Sequence, residues 1–407
     1  MGMLEDLFVL DLSRVLAGPY CTLLLADMGA RVVKVESHAG DDTRRWGPPY
    51  PGGESGYYLS VNRGKESVVV DLKDPRGREL VQKLASKADV IVENYKVGDL
   101  ERYGLDYAAV AAGNPAVIYV SITGFGQDGP RAKEPGYDAA MQAQSGLLAM
   151  TGTPEGAPVK LGVAWIDVLT GVHAATGALA ALHHRESTGV GLHLDVALLD
   201  VAIASLVNQA QAALLTGEAP ARLGSAHPSI VPYQAFEAAD GAVVVAVGND
   251  GQFARFCGVV GHPEWATNVN YATNDARVRN RATLVPLIAV ELAGRKRGEF
   301  LEACRAANVP ATPVATLPEA LVDPQVVARG MVISGEHPTI GALPMVASPL
   351  WHARGPDGAA IDLAPAPNAA PVPPLLGADS RAVLLRDLEL TEAEADELIA
   401  AGVVGQH

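Results

Sequence analysis

Aromatic side chains make up only 5% of the 407 residues, and cysteine occurs three times, at Cys21, Cys257 and Cys304. With so few aromatics, the 49% apolar content is carried by small and aliphatic side chains, which suit close helix-on-sheet and helix-on-helix contact. The cysteines lie far apart without metal-ligand spacing, so buried thiols in a reducing cytoplasm are expected rather than a disulfide framework. Positive charge is also scarce: 31 Lys and Arg face 46 Asp and Glu, for a net charge of −15. A chain without a basic stripe does not wrap nucleic acid, so no nucleic-acid partner is expected. The segment Met1–Asp6 has neither the cationic region nor the long apolar core of a signal peptide. Two apolar stretches, 161–182 and 198–215, are long enough to test as membrane spans. Asp167 and His173 interrupt the first, and Asp200, Asn208, Gln209 and Gln211 the second. Such groups are costly in lipid, so both read as buried core helices and no membrane partner is expected.

Cofactor signatures are missing as well. The loop Ser13–Pro19 follows a strand, and Glu36 ends the next strand where an acidic residue would hold a ribose. The loop has no G-x-G-x-x-G, so a nicotinamide or flavin pyrophosphate finds no glycine cradle. No P-loop, G-x-S-x-G elbow or H-E-x-x-H occurs, and the adjacent His183 and His184 point to different helix faces. No metal and no permanently bound cofactor are expected.

What is present is an alternation of periods. Strand-like runs at 7–13, 31–36, 67–72, 89–95 and 116–124 are separated by helix-length segments, 21–28 and 75–88 among them. This predicts βαβ crossovers and an α/β fold with a parallel sheet. Helices are predicted over 137–150, 167–185 and 198–216, with a strand at 191–197. Residues 217–232 carry Gly217, Pro220, Gly224, Pro228 and Pro232 and read as a linker or lid. A second α/β unit opens with a hairpin at 233–247, and 311–315 reads as a strand returning to the first unit. Residues 353–376 read as an extended surface segment. Thr391 and Glu394 are spaced as a capping box for a last helix over 391–401.

Asp167 is the most informative carboxylate, a single acid in the apolar run Gly162–Gly171. It can be the N-cap of the following helix, accepting from first-turn N–H groups. It can equally be a nucleophile or base held dry and kept ionised by the helix N-terminus. The two readings compete, because donors that lower its pKa also weaken it as a nucleophile.

Several segments occur in one order: Asp11-Leu12-Ser13-Arg14-Val15-Leu16-Ala17-Gly18-Pro19, Ala26–Glu36, Glu93-Asn94-Tyr95, Gly136-Tyr137-Asp138, Gly162–Gly171 and Pro374-Leu375-Leu376-Gly377. Together they resemble the class III CoA-transferases over nearly the whole chain. Arg222–Phe236 and Ala401–His407 are most similar to the branch that passes CoA between succinyl-CoA and glutarate. The resemblance implies a covalent nucleophile at Asp167, with a coenzyme A thioester as substrate and a free carboxylate as acceptor. It implies CoA contacts at Val15, Leu16 and Ala17, at Val70 and Lys73, at Asn94 and Tyr95, and at Arg102 and Tyr103. Lys73 and Arg102 can face phosphates, and Tyr95 or Tyr103 can stack on adenine. Tyr137 matches an active-site tyrosine. Ser37 or His38 replaces an arginine that formyl-CoA transferase places beside adenine, with Arg44 or Arg45 as a substitute. The lid Gly224–Ser229 replaces a glycine run, which makes His227 and Ser229 candidates for the acceptor's distal carboxylate.

The resemblance also implies a Rossmann-like large domain and a smaller α/β domain in an interlocked homodimer. The large domain is expected from 1–216 and 330–407 and the small one from 233–310, with 217–232 as linker or lid and 311–329 as return linker. The alternative is an α-methylacyl-CoA racemase-type isomerase of the same fold. That chemistry needs an acid/base pair at the α-carbon, for which His173 and His227 are the nearest candidates. A catalytically silent CoA-binding protein is a third reading, which an intact Asp167 argues against.

Overall fold

A computed structural model describes residues 2–362 and 369–406. It divides into two compact units, one formed by Met1–Ser145, Leu161–Gln211 and Pro324–His407, the other by Gly146–Lys160 and Ala212–Asp323. In the first unit, β1 (Phe8–Asp11), β2 (Arg31–Glu36), β3 (Lys65–Val70), β4 (Val90–Glu93), β5 (Ile118–Thr123) and β6 (Leu192–Ala197) are parallel, in the order β3-β2-β1-β4-β5-β6. Val404–Gly405 adds antiparallel to β3. Most of these strands are buried on both faces, which explains their near-continuous Val and Ile runs.

Helix α1 (Ala17–Asp27) links β1 to β2, α2 (Pro75–Lys87) links β3 to β4, α3 (Asp138–Gln144) follows β5, and α4 (Trp165–Thr188) precedes β6. The start of α2 is dictated locally: Asp74 accepts from the Arg76 N–H and Pro75 takes the first position. Its Gly77, Leu80, Val81, Leu84 and Ala85 form the buried stripe of an amphipathic helix. Helix α1 begins four residues earlier than the sequence predicts, because Gly18 is not a turn glycine. A Cβ there would lie 2.2 Å from the Ser13 Cβ, so glycine lets the loop fold back onto the first helical turn. Pro19 is accommodated in that same turn.

Helices α1 and α4 pack closely through small residues. A Cβ on Gly171 would meet the Ala17 carbonyl oxygen at 2.7 Å, and Ala174, Ala175 and Ala178 continue the buried face. Here the shortage of aromatics becomes geometry. Helix α4 is long and apolar enough to cross a membrane by length and composition.

Two predicted helices are broken. The 137–150 segment splits at Gly146, which has φ 89°, and 198–216 splits into Leu198–Ala204 and Val207–Thr216 around Val207, with φ 38°. The first unit also holds an antiparallel hairpin, Val332–His337 with Gly341–Val346. Residues 352–362 form another small hairpin instead of the predicted extended segment, whose part at 363–368 lies outside the described residues. The last helix, Glu392–Ala400, carries both bonds of its capping box.

The second unit is built on the antiparallel pair Tyr233–Ala238 and Gly241–Ala246. Ala311–Pro313 pairs with the latter strand, so it completes this sheet rather than returning to the first unit. Helices Asp250–Val260, Arg281–Ala293 and Arg297–Ala306 pack a core containing Phe253, Phe256, Leu284, Ile288 and Phe300. Cys257 and Cys304 lie in that core, and Cys21 is buried in α1; all three are free thiols.

Candidate active site

The strand order reverses between β1 and β4. In an open parallel sheet this creates a crevice beyond the carboxyl ends of the two strands, where ligands bind. A cavity of about 240 Å³ occupies that place. Arg14, Val15, Leu16 and Ala17 line it from the β1–α1 loop, Asn94 to Val97 from the end of β4, and Thr123 and Gly124 from the end of β5. Tyr137, before α3, and Asp167, in α4, line it as well, as do the carboxylates of Asp42, Asp99 and Glu134. Gly124 and Gly136 touch backbone to backbone; a Cβ on Gly124 would meet the Gly136 Cα at 2.6 Å. Tyr137 is thereby held at the rim, 69% exposed.

Asp167 is not an N-cap. Ala164 holds the cap position without a side-chain bond, and Asp167 is the third helical residue. The acceptor for the helix start is Asp138, whose Oδ1 takes the Ile166 N–H at 2.7 Å and the Asp167 N–H at 3.3 Å. Asp138 is buried, and its Oδ2 accepts from Gln142 Nε2 at 2.6 Å. Among the described residues the Asp167 carboxylate accepts no hydrogen bond. The donors that would blunt a nucleophile are directed to its neighbour instead. Burial first, and the Asp138 charge second, push the Asp167 carboxyl up to about 7. The helix terminus therefore does not hold it in the ordinary ionised range, contrary to the sequence reading. Tyr57 stands close by, its hydroxyl pushed up to about 12 by burial and then by Asp167 and Asp138. Nothing local in the sequence marks Tyr57.

The β1–α1 loop is strained and tied down. Val15 has φ 71°, in the left-handed region that a β-branched residue rarely occupies. The Asn94 side chain bonds both Arg14 backbone groups, at 2.8 and 2.7 Å, and the Val15 N–H lies 3.2 Å from Asp41 Oδ2. Beneath, Lys34 Nζ donates to the Ser13 carbonyl at 2.7 Å and pairs with Asp41 at 2.9 Å. Asp11 accepts from Ser13, Thr22 and Lys65. The side chains of all four charged residues are 0% exposed. Burial works against ionisation of Asp11 and Asp41, but the neighbouring lysines hold both carboxyls below their usual range.

Of the residues the sequence pointed to, the cavity gathers Val15, Leu16, Ala17, Asn94, Tyr95, Tyr137 and Asp167. It also contains Arg14 and Lys96, two cations that were not singled out. The Arg14 guanidinium sits 5.3 Å from the Tyr95 ring centroid, occupying a face that stacking on adenine would require. Val70, Lys73, Arg102 and Tyr103 do not line the cavity. Val70 is 2% exposed within β3, which leaves its side chain no ligand contact. Lys73 and Arg102 are exposed, and the Arg102 guanidinium lies over the Tyr103 ring.

Arg44 cannot serve a phosphate, because it is buried in a two-pronged pair with Glu36 that also occupies the acid suited to a ribose. Arg45 is exposed. His227 and Ser229 belong to the second unit, where His227 Nδ1 accepts from the Ser229 N–H at 3.1 Å. Arg281 holds that turn by donating to the carbonyls of His227 and Pro228. In the apolar run around Asp167, Ile166 is buried while Val163 and Trp165 are 58% and 46% exposed. Among the described residues no cluster of three or more His, Cys, Asp or Glu side chains is placed to hold a metal ion, and no histidine lines the cavity.

Residues 4–379 match the family model described as CoA-transferase family III. A succinate–glutarate CoA-transferase from Agrobacterium fabrum is 45% identical over 360 residues, 87% of this chain and 90% of that protein. The human succinyl-CoA:glutarate CoA-transferase is 42% identical over 405 residues, 99% of this chain and 90% of that protein. Among solved structures, a CaiB/BaiF family protein from Brucella suis superimposes with a TM-score of 0.82 at 40% identity, covering 95% of this chain and 99% of its own.

Proposed function

The chain belongs to CoA-transferase family III, and we propose that it passes CoA between succinyl-CoA and glutarate through a covalent intermediate on Asp167. The observation that carries this reading is the Asp167 carboxylate itself, facing the switch-point cavity without a hydrogen bond while Asp138 takes the helix donors. Its ionised form attacks the thioester carbonyl, giving a mixed anhydride and releasing CoA thiolate. The thiolate attacks the Asp167 carbonyl of the anhydride, forming an aspartyl-CoA thioester and releasing succinate. A glutarate carboxylate attacks that thioester and again frees the thiolate, which then takes the glutaryl group and returns Asp167 as carboxylate. Two thioesters of similar energy exchange through steps that consume no other reagent.

CoA is far longer than the cavity, so the thioester end is assigned to Val15, Leu16, Ala17 and Tyr137, with Arg14 and Lys96 beside the first phosphates. Lys73 and Arg102 are assigned to its outer reach. An anhydride must be kept from water. A second copy of the chain, in a cytoplasmic homodimer, is proposed to cover Val163 and Trp165.

The direct test is incubation with succinyl-CoA and glutarate, followed by borohydride or hydroxylamine trapping and mass spectrometry. An adduct on Asp167 together with glutaryl-CoA is the expected result. Solvent deuterium entering the α-carbon without an adduct would instead identify an isomerase.

Because Asp167 reacts ionised and its carboxyl is raised to about 7, kcat/KM should fall as pH drops below 7. Asp138→Asn keeps an acceptor for the helix start but removes the like charge. The acidic limb should then move to lower pH by only part of the shift, since burial is the larger cause. An unmoved limb in a pH–rate profile would contradict this assignment.

A further inference from the structure

Of the triplet Glu93-Asn94-Tyr95, only the last two face the cavity. Glu93 ends β4 with 5% exposure and its Oε2 accepts the Tyr95 N–H at 2.8 Å. Asn94, between them, holds both backbone groups of Arg14 and so the strained loop at Val15. The carboxyl is therefore a buried anchor for the Tyr95 main chain on that side of the cavity. It is also connected outward. Glu93 is in register with Ser121 on β5, and the Ser121 hydroxyl bonds it. Ser121 Oγ lies 2.9 Å from Nε2 of the exposed His193, whose ring stacks on Tyr107 at 4.6 Å.

A second cavity of about 260 Å³ shares Lys96 and Val97 with the first and is lined by Glu93, Ser121 and His193, giving solvent protons a route to the carboxyl. The other ionisable groups facing it are Lys96, Glu101, Asp106, Tyr107 and Tyr119 around that cavity, Asp195 on β6, and Tyr95 with Arg14 on the first-cavity side.

We infer that Glu93 is a positioning residue of the acyl-CoA cavity, whose carboxylate holds the Tyr95 main chain, and through Asn94 the Arg14–Val15 loop, and slackens that hold on protonation. This rests on the CoA-transferase reading of the same cavity. Burial, opposed by Ser121 and the Tyr95 N–H, raises the Glu93 carboxyl to about 7, so the change falls in the working pH range. An ionised acceptor makes the shorter and stronger hydrogen bond. Affinity for the thioester should therefore rise with pH.

The test uses the full chain carrying Asp167→Ala, which removes turnover and the Asp167 titration together. Calorimetric Kd values for succinyl-CoA are measured from pH 6 to pH 8.5. We expect Kd to fall about fivefold across this range, on the scale set by one charge-assisted bond. Glu93→Gln, of the same size and without a titrating proton, should flatten the profile, and Glu93→Asp should restore part of it. Titration of the ligand itself is common to all these chains and cancels. An equal slope in Glu93→Gln, or a slope of opposite sign in the parent, overturns the inference while leaving the transferase reading intact. Absence of saturable binding in every chain overturns the cavity assignment and this inference with it.

Discussion

Replacing Asp167 by asparagine should lower kcat for transfer by about 10⁴-fold or more while leaving succinyl-CoA binding within a few-fold. The size follows from the role: loss of a covalent nucleophile removes the whole two-step route and not one contribution to it. The asparagine keeps the shape of the third residue of α4, and the Ile166 and Asp167 N–H groups keep their acceptor in Asp138. Binding should survive because Asp167 is one residue of a wall to which the β1–α1 loop, the ends of β4 and β5 and the segment before α3 all contribute. Steady-state kinetics with succinyl-CoA and glutarate, paired with calorimetry, separates the two effects. A variant retaining a tenth of the rate would remove Asp167 from the covalent role.

The largest stability effect is expected at a residue that touches no substrate. Lys34→Met should destabilise the first unit by about 3–5 kcal/mol, because it leaves the buried Asp41 without its cation and the Ser13 carbonyl without a donor. Asp41 lies below its ordinary range, so its contribution to stability is present above the unfolded pKa and lost as pH falls toward the folded one. In the variant the orphaned carboxylate gains by taking a proton. The difference from the parent should therefore shrink as pH is lowered toward 4. Urea unfolding followed by circular dichroism at pH 7 and pH 4.5 measures both. The same substitution slackens the seat of Val15, and KM for the acyl-CoA should rise about tenfold, a fraction of what a one-ångström misplacement can cost. A midpoint equal to the parent's at pH 7 would mean that Asp41 is satisfied without Lys34.

The sheet was legible because doubly buried parallel strands are runs of Val and Ile, and β2 was read at its true limits, Arg31–Glu36. The helices were legible where the cap was local, as at Thr391 and Glu394. They were misjudged where a backbone break decided the matter, at Gly146 and Val207. In the site, a lone acid in an apolar run marked Asp167, but its capping partner stands twenty-eight residues from Ile166 and leaves no local trace. The charges beneath the loop were hidden for a different reason. Lys34 and Glu36 alternate with valines along β2, the pattern of a half-exposed strand, and both prove to be buried and paired. Arg44 misled in the same way, since an arginine near a presumed phosphate site reads as a ligand until its carboxylate partner is seen.

Gly171 lets α4 rest against the first turn of α1, and Asp167 lies one turn earlier on α4 while Ala17 opens α1 from the loop that lines the cavity. Asp167 and the β1–α1 loop are thus parts of one solid block, with no joint between them. Redesign of acceptor preference should accordingly leave this block untouched and be sought in segments hinged to nothing in it. A methyl group at residue 171 would act like a shim in a machine bearing, shifting Asp167 against the β1–α1 loop without altering either.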